Sequence, residues 1–119
     1  MISTYLPDKE FYVDERCFIV EIHNRSDDES CSIARARVLP GETTQFHAVS
    51  GTIERYVILE GVGEVEIDGK LPITVRPLDV VCIRAGASQR IRNAGSADLV
   101  FLCVCTPRFP PERYAHLSV

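Results

Sequence analysis

The fold class is decided by residues 55–69, RYVILEGVGEVEIDG. The first six residues are rich in β-branched and aromatic side chains, which favour strands, and they end at the GVG of residues 61–63. GEVEI at residues 63–67 alternates apolar and polar side chains and runs into Asp68-Gly69. Both residues of an Asp-Gly pair tolerate a positive φ, which is the signal of a tight hairpin turn. The stretch therefore predicts two strands, the second of which enters a β-hairpin.

The rest of the chain repeats this pattern of short alternating segments separated by Gly, Pro and Asp. No helical period lasts for more than a turn or two. The further segments predicted as strands are 17–24, 31–39, 43–49, 72–75, 79–83, 89–93 and 99–105. About nine short strands with frequent turn signals are typical of an antiparallel sandwich or barrel. Because no linker, repeat or low-complexity segment interrupts the 119 residues, we expect a single domain.

Composition and charge exclude several classes of protein. The chain is 45% hydrophobic and 25% charged, as expected of a folded protein, and carries a net charge of −4. This charge argues against nucleic acid or an anionic membrane as a partner, since both need a basic surface. No apolar run approaches the roughly 20 residues of a transmembrane helix, and the start MISTYLPDKEFY lacks the features of a secretory signal.

The cysteines predict the compartment. Their spacing contains no CxxC pair and no zinc-ribbon pattern, and the five positions are Cys17, Cys31, Cys82, Cys103 and Cys105. Residues two apart on a strand lie about 6.6 Å apart with parallel side chains, so Cys103 and Cys105 are poorly placed for a disulfide. We expect five reduced thiols that pack as small buried hydrophobic groups, in a cytoplasmic protein.

Three polar residues are candidates for one interior site. His47 lies in a predicted strand, Glu54 follows across a short loop, and Gln89 begins a later strand after a turn at Gly86. A barrel can bring three inward-facing side chains of different strands together. Tyr56 shares the face of Glu54, and its hydroxyl could reach a ligand or a backbone carbonyl.

The first half of this set resembles the first motif of the cupin superfamily. That motif is a Gly, five residues, His-x-His, three or four residues, a Glu, six residues and a Gly. Gly41, His47, Glu54 and Gly61 fit the spacing, and Val49 stands where the family has its second histidine.

The second half matches the second cupin motif more loosely. That motif is a Gly, five residues, Pro-x-Gly, two residues, a His, three residues and an Asn. Gly86 and Asn93 match by identity, whereas Gln89 takes the place of the histidine. Leu78 and Arg84 stand where the family has its first Gly and its Pro.

The resemblance covers about residues 31–105 and implies an antiparallel jelly-roll (double-stranded β-helix) barrel. In the family, the histidines and the glutamate hold one divalent metal ion inside the barrel. Carried over by position, the implied metal ligands are His47, Glu54 and Gln89, and Val49 contributes no donor. One imidazole, one carboxylate and one amide oxygen suit Zn, Fe, Mn or Ni. The same three side chains could instead satisfy one another as a hydrogen-bonded cluster without metal.

Three functions are compatible with this resemblance. The first is a metal-dependent isomerase, dioxygenase or lyase acting on a small oxygenated molecule such as a sugar or keto acid, with Glu54 as ligand or base and Tyr56 as proton donor. The second is a non-catalytic module that binds a small molecule in the barrel. The third is a metal-free barrel in which the polar cluster is structural.

Two further expectations concern the surface. LVFLCVC at residues 99–105 is apolar on both faces, so we expect a homodimer that covers the outer face. The Pro-rich tail, residues 106–119, is predicted to pack along the outside of the barrel, anchored by Phe109 and Tyr114. His23 and His116 have no partner at a useful spacing, and SDDES at residues 26–30 is interpreted as a solvated turn.

Overall fold

The computed structural model describes residues 1–109 and the strand Tyr114–His116. The regular structure in this part of the chain is β-strand, apart from one short 3-10 helix at Pro7–Lys9. No helix in it is long and apolar enough to cross a membrane. The strands are β1 Phe11–Val13, β2 Cys17–His23, β3 Ser32–Val38, β4 His47–Val49, β5 Ile53–Glu60, β6 Gly63–Ile67, β7 Ile73–Val75, β8 Val80–Ile83, β9 Gln89–Asn93, β10 Leu99–Thr106 and β11 Tyr114–His116.

The strands form two sheets that face each other. Sheet A has the order β1-β2-β3-β10-β5-β8, and sheet B has the order β11-β4-β9-β6-β7. All neighbouring strands in both sheets are antiparallel. The all-β, antiparallel jelly-roll class predicted from the sequence is confirmed.

Three elements differ from the sequence prediction. The short edge strands β1 and β11 were not predicted, and β4 is only His47–Val49 instead of residues 43–49. The segment before β4 keeps isolated bonds to β9 but is not a continuous strand. Thr43 forms a bridge with Arg92, and the Thr44 amide donates to Ile91 O at 2.9 Å. The Gln45 amide instead donates to Glu15 O at 3.1 Å in the turn between β1 and β2, which interrupts the pairing.

Rows of directly opposed residues build the inner face of sheet A. One row runs from Ala34 through Cys103 and Tyr56 to Val81. The next row runs from Ser32 through Cys105 and Glu54 to Ile83. Opposed residues in an antiparallel pair point to the same face, so this register fixes Glu54 and Tyr56 inside the barrel.

Two turns show why particular residues are needed. Gly61 has a φ of +85°, and a β-carbon there would lie 2.6 Å from the carbonyl oxygen of Asp98, so only glycine fits. The predicted hairpin turn is present between β6 and β7, where Asp68 and Gly69 have φ values of 54° and 71°.

The outer faces of both sheets carry ion pairs. Arg37 pairs with Glu10 at 2.7 Å and with Asp98 at 3.0 Å on sheet A. Arg90 and Arg92 pair with Glu66 and Glu64 on sheet B. These arginines are therefore held on the outside of the barrel, away from the interior.

The cysteines and the tail differ from expectation in detail. All five cysteines are free thiols, but Cys82 is exposed on β8 and is not part of the core.

Phe109 lines the interior cavity instead of the outer surface, and Ser32 Oγ accepts its backbone N–H at 2.8 Å. The predicted outside packing of the tail concerns residues 110–113 and 117–119, together with the Tyr114 side chain, all of which lie outside the described part of the structure.

Candidate functional site

The three polar residues singled out in the sequence lie together between the two sheets. His47 on β4 and Gln89 on β9 are directly opposite each other in sheet B. Glu54 on β5 belongs to sheet A and faces them. All three are buried, with exposures of 8% for His47, 0% for Gln89 and 7% for Glu54.

One amide connects the three side chains. Gln89 Nε2 donates to Glu54 Oε1 at 3.3 Å and also contacts His47 Nε2. On the other side of the imidazole, His47 Nδ1 lies 3.1 Å from the backbone oxygen of Gln45. Because a carbonyl can only accept, His47 carries a proton on Nδ1, and in the neutral ring the lone pair of Nε2 faces the amide of Gln89.

Burial controls the protonation of Glu54. Removal from water raises the pKa of its carboxyl from 4.5 to about 7, and the hydrogen bond from Gln89 acts in the opposite direction. A buried carboxyl with this pKa exchanges a proton near neutral pH, which is the property required of a general acid or base.

Tyr56 lies on the same inner face as Glu54. It is 3% exposed and packs against Phe101, with ring centroids 4.6 Å apart. Burial, followed by the nearby charge of Glu54, raises the pKa of the Tyr56 hydroxyl well above its usual value. The phenol therefore keeps its proton at neutral pH.

An interior cavity of about 210 Å³ opens beside these groups. His47, Val49, Glu54 and Tyr56 line it. Most of the remaining wall is apolar or aromatic, and its main contributors are Phe11, Val13, Ile19, Ala34, Ala36, Ile91, Phe101 and Phe109. A largely apolar cavity with a few converging polar groups is the usual form of a small-molecule site.

The donor chemistry fits a divalent cation, although the set is small. The buried oxygen Gln89 Oε1 has no hydrogen-bond partner, because the amide turns its nitrogen toward His47 and Glu54. A cation between His47 and Glu54 would accept the lone pair of His47 Nε2 and neutralise Glu54. Gln89 would have to reverse its amide, which would bring Oε1 to the cation in place of Nε2 and give this oxygen a partner. Within the described residues no three His, Cys, Asp or Glu side chains are grouped for metal binding, so the set needs this amide oxygen.

Two positions of the cupin motifs, Val49 and Asn93, have different surroundings in the structure. Val49 is 3% exposed and lines the cavity beside His47, at the position where the family has a histidine. Asn93 is structural, since its amide nitrogen donates to Val38 O at 2.9 Å and Ala97 O at 2.8 Å while its oxygen accepts from Gly95 N.

Several residues that line the cavity were not selected from the sequence. Cys17, Ile19 and Glu21 alternate in β2 and so share one face, which is a signal the sequence contains. Glu15 and Phe11 also line the cavity, but they belong to the unpredicted β1 and its turn. Those two could not be assigned before the β1–β2 hairpin was known.

His23 has partners after all, outside this site. Its Nε2 lies 2.8 Å from Asp28 Oδ2, and its Nδ1 contacts Ser3 Oγ. The acidic turn interpreted as solvated thus fixes the histidine at the end of β2. These contacts help to hold the N-terminal segment on the barrel.

Comparisons with known proteins agree with this architecture. A curated relative, the oxalate-binding protein of Thermotoga maritima, is 37% identical over 71 residues, which cover 60% of this chain and 58% of the relative. A solved structure described as a predicted oxalate decarboxylase (tm1287) from Thermotoga maritima has a TM-score of 0.79 at 23% identity, and covers 90% of this chain and 99% of that one. A variant of Streptomyces PAC13 with uridine has a TM-score of 0.80 at 12% identity, and covers 97% of this chain and 90% of that one. At such identities the two solved structures show a shared fold. The Cupin_2 family model, described as a cupin domain, matches residues 34–105, and the chain therefore belongs to the cupin family.

Proposed function

We propose that this cupin binds a small oxygenated molecule in its interior cavity, through a divalent cation held by His47, Glu54 and Gln89. The observation that carries the proposal is the unpartnered oxygen Gln89 Oε1, which is buried on an amide whose nitrogen contacts His47 and Glu54. An orphaned buried oxygen is costly in a metal-free cluster, whereas a bound cation would satisfy it.

The relative from Thermotoga maritima supports a small-molecule ligand, since it is described as an oxalate-binding protein. Among the described residues that line the cavity there is no Lys or Arg, and Glu15, Glu21 and Glu54 add negative charge. A carboxylate ligand would thus need a cation to enter. A sugar or a keto compound, which offers neutral hydroxyl or carbonyl oxygens, suits this cavity better than a small dianion.

Each residue then has a distinct role. His47 would contribute Nε2, fixed by the bond from Nδ1 to Gln45 O, and Glu54 and Gln89 would contribute oxygens. A divalent ion bound there polarises a carbonyl or hydroxyl oxygen. Tyr56, which stays protonated, would donate a hydrogen bond to the ligand, and a Glu54 oxygen not bound to the cation would accept a proton. On this proposal Glu54 and Tyr56 are the catalytic residues of a metal-dependent isomerase, dioxygenase or lyase.

A second candidate is a metal-free binding module. It is favoured by the amide of Gln89, which already bridges His47 and Glu54, and by Val49, which removes one donor from the family's set. In this case the cavity would bind its ligand through hydrogen bonds and apolar contact alone, without turnover.

Metal binding separates the two candidates. Protein stripped with a chelator is titrated calorimetrically with Mn²⁺, Ni²⁺ and Zn²⁺. We expect one ion per chain, a large loss of affinity in Glu54→Ala and a smaller loss in Gln89→Ala, because a carboxylate brings charge to the cation and an amide does not. Glu60→Ala, which removes an exposed carboxylate from the end of β5, is the matched control and should bind as the wild type does.

Two results would overturn the metal-dependent proposal. One is the absence of ion binding by the wild-type protein, and the other is equal binding by wild type and Glu54→Ala. If the metal binds, a turnover screen with sugars and keto acids then distinguishes an enzyme from a binding module.

A further inference from the structure

We infer that the ligand of this cavity carries a cationic amine, on an apolar spacer that separates it from the oxygen group held near Glu54. The inference rests on the proposed function in one respect, that the cavity is a ligand site. It adds the charge and the shape of the ligand, and it differs from the relative described as an oxalate-binding protein, whose named ligand is a small dianion.

The charge of the cavity wall is the first argument. The charged side chains that line it within the described residues are Glu15, Glu21 and Glu54, and none is a Lys or Arg. Arg35 and Arg37 alternate with the inward residues of β3 and bond to Glu10 on the outer face. Arg55 of β5 bonds to Thr106 Oγ1 and does not line the cavity. Apart from the imidazole of His47, the described part of the cavity wall thus has no basic side chain to neutralise its carboxylates.

The opening of the cavity is marked by residues that line it and are also exposed. Phe11 on β1 is 48% exposed, and Glu21 on β2 is exposed as well. Glu15, in the turn between these two strands, is half-buried, and its carbonyl oxygen accepts from Gln45 N at 3.1 Å. Two carboxylates therefore belong to the hairpin at the opening, while Glu54 lies at the inner end with His47.

The strand register of sheet A indicates how long a ligand must be to reach from one end of the cavity to the other. Glu21 pairs with Ala34, which pairs with Cys103, which pairs with Tyr56. Three strand spacings amount to at most about 14 Å between the opening and the inner polar end, and the curvature of the sheet shortens this distance. A molecule that reaches from Tyr56 toward Glu21 thus needs a spacer of several atoms.

The wall between the two ends suits such a spacer and an ammonium head. It consists mainly of aliphatic side chains together with the rings of Phe11, Phe101 and Phe109. Aliphatic and aromatic side chains favour an apolar spacer, and aromatic faces attract cations. An anionic head would instead meet like charges from Glu15 and Glu21 in a site of reduced polarity.

A set of linear probes of equal length tests the inference. 6-Amino-1-hexanol, 1,6-hexanediol and 6-hydroxyhexanoate carry a cationic, a neutral and an anionic head on the same spacer. Their binding to the full chain is measured by calorimetry at low ionic strength, with Mn²⁺ and separately with chelator. We expect the amine to bind about five- to tenfold more tightly than the diol and the anion to bind more weakly than the diol. The preference should shrink as salt is added.

Variants of Glu15 and Glu21 test whether these two carboxylates cause the preference for the amine. Glu15→Gln and Glu21→Gln should each reduce the preference for the amine over the diol by about two- to fivefold. Glu60→Gln makes the same charge change outside the cavity and should leave the preference intact.

The outcomes separate this inference from the proposed function. If the ion binds at His47 and Glu54 but the diol or the anion binds as tightly as the amine, the inference is wrong and the metal-dependent proposal stands. If the amine is preferred although no ion binds, the inference stands and the metal-dependent proposal fails. Failure of the amine to bind at millimolar concentration, or an unchanged preference in both glutamate variants, overturns the inference.

Discussion

Gln89 Nε2 lies 3.3 Å from Glu54 Oε1, and this contact joins the two sheets at the inner end of the cavity. The same amide contacts His47 Nε2, so one side chain holds a carboxylate and an imidazole in place. The position of the candidate site is therefore set by the packing of sheet A on sheet B, and its protonation is set by the burial that this packing causes.

The pH dependence of stability should report this burial. Burial raises the pKa of Glu54 from its usual 4.5 to about 7 in the folded protein. Between these two values the folded state binds more protons than the unfolded state, so the free energy of unfolding falls as pH rises. Without metal, we expect Glu54 alone to lower it by about 3 kcal/mol between pH 4.5 and 8.

Glu54→Gln isolates this contribution, because the amide resembles the protonated carboxyl and does not titrate. Urea unfolding with chelator at pH 5, 6, 7 and 8 should give curves for wild type and variant that diverge with pH, the variant being more stable at pH 8. The carboxyl groups of Glu10 and Asp28 have lowered pKa values, so their contribution to stability is lost only at lower pH. This contribution is the same in wild type and variant and therefore cancels in the comparison. Parallel dependence in the two proteins would show that Glu54 is ionised without a burial penalty.

We expect that replacing Leu78 with glycine stabilises the protein. It has a φ of 74°, a conformation that side chains with a β-carbon disfavour, and it is 81% exposed. It also stands where the cupin motif has a glycine. We expect Leu78→Gly to raise the free energy of unfolding by about 0.5–1 kcal/mol, because relief of backbone strain exceeds the added entropy of the unfolded chain. Leu78→Ala keeps the β-carbon and should show no such gain; equal stability of the two variants in urea would exclude strain at this position.

The sequence was most informative where a strand alternates and is bounded by turns. The bounds of β6 and β9, Gly63–Ile67 and Gln89–Asn93, coincide with the predicted segments because polar and apolar residues alternate between distinct turn signals. Strands β1 and β11 contain three residues each and form only by pairing with β2 and β4 at the sheet edges. Such strands depend on a partner distant in sequence, and local patterns do not reveal them.

The candidate site was predictable only in part for the same reason. Alternation within each strand shows that His47 and Glu54 can face inward, and the cupin spacing adds Gln89. Their mutual contacts depend on how sheet A packs against sheet B, which no local pattern contains. Likewise, Glu15 lines the cavity only because the turn after β1 is bound to Gln45.

The homodimer remains a prediction, and the outer face of sheet A is its candidate interface. Leu102 pairs with Val57, which pairs with Val80, so an apolar row runs to the edge strand β8, where Val80 is 59% exposed. On β2 and β3 the outer face is partly covered by the N-terminal segment, since Glu10 bonds to Arg37 and Tyr5 lies against Arg35. We expect light scattering at micromolar concentration to give twice the chain mass of 13.3 kDa.

Val80→Arg should shift this mass toward the monomer, because it places a charge in the apolar row without disturbing the core. Leu71→Arg, at a position 86% exposed in the turn before β7, is the matched control and should keep the wild-type mass. A monomeric wild-type protein at this concentration would contradict the prediction.

The last prediction concerns Val49, which lines the cavity two residues after His47 on the same face of β4. An imidazole at this position would lie about 6.6 Å along the strand from His47, and its ring could converge with that of His47 on one ion. We expect Val49→His to bind Ni²⁺ or Zn²⁺ about tenfold more tightly than the wild type, because it adds a fourth protein donor. The ion should also raise the thermal midpoint of the variant more than that of the wild type.

Val49→Phe is the control for bulk, since it adds a ring of similar size without a metal donor. Both variants enlarge a side chain that is 3% exposed, so each should lose about 1–3 kcal/mol of stability if the cavity cannot take the ring. Titration calorimetry and thermal unfolding, with and without the ion, separate the effect of the added metal donor from the effect of the added side-chain volume. If Val49→His gains no affinity and is destabilised as much as Val49→Phe, this position packs as ordinary core and the cation does not lie beside His47. If only Val49→His is stabilised by the ion, the barrel retains the geometry of a cupin metal centre that lacks one ligand.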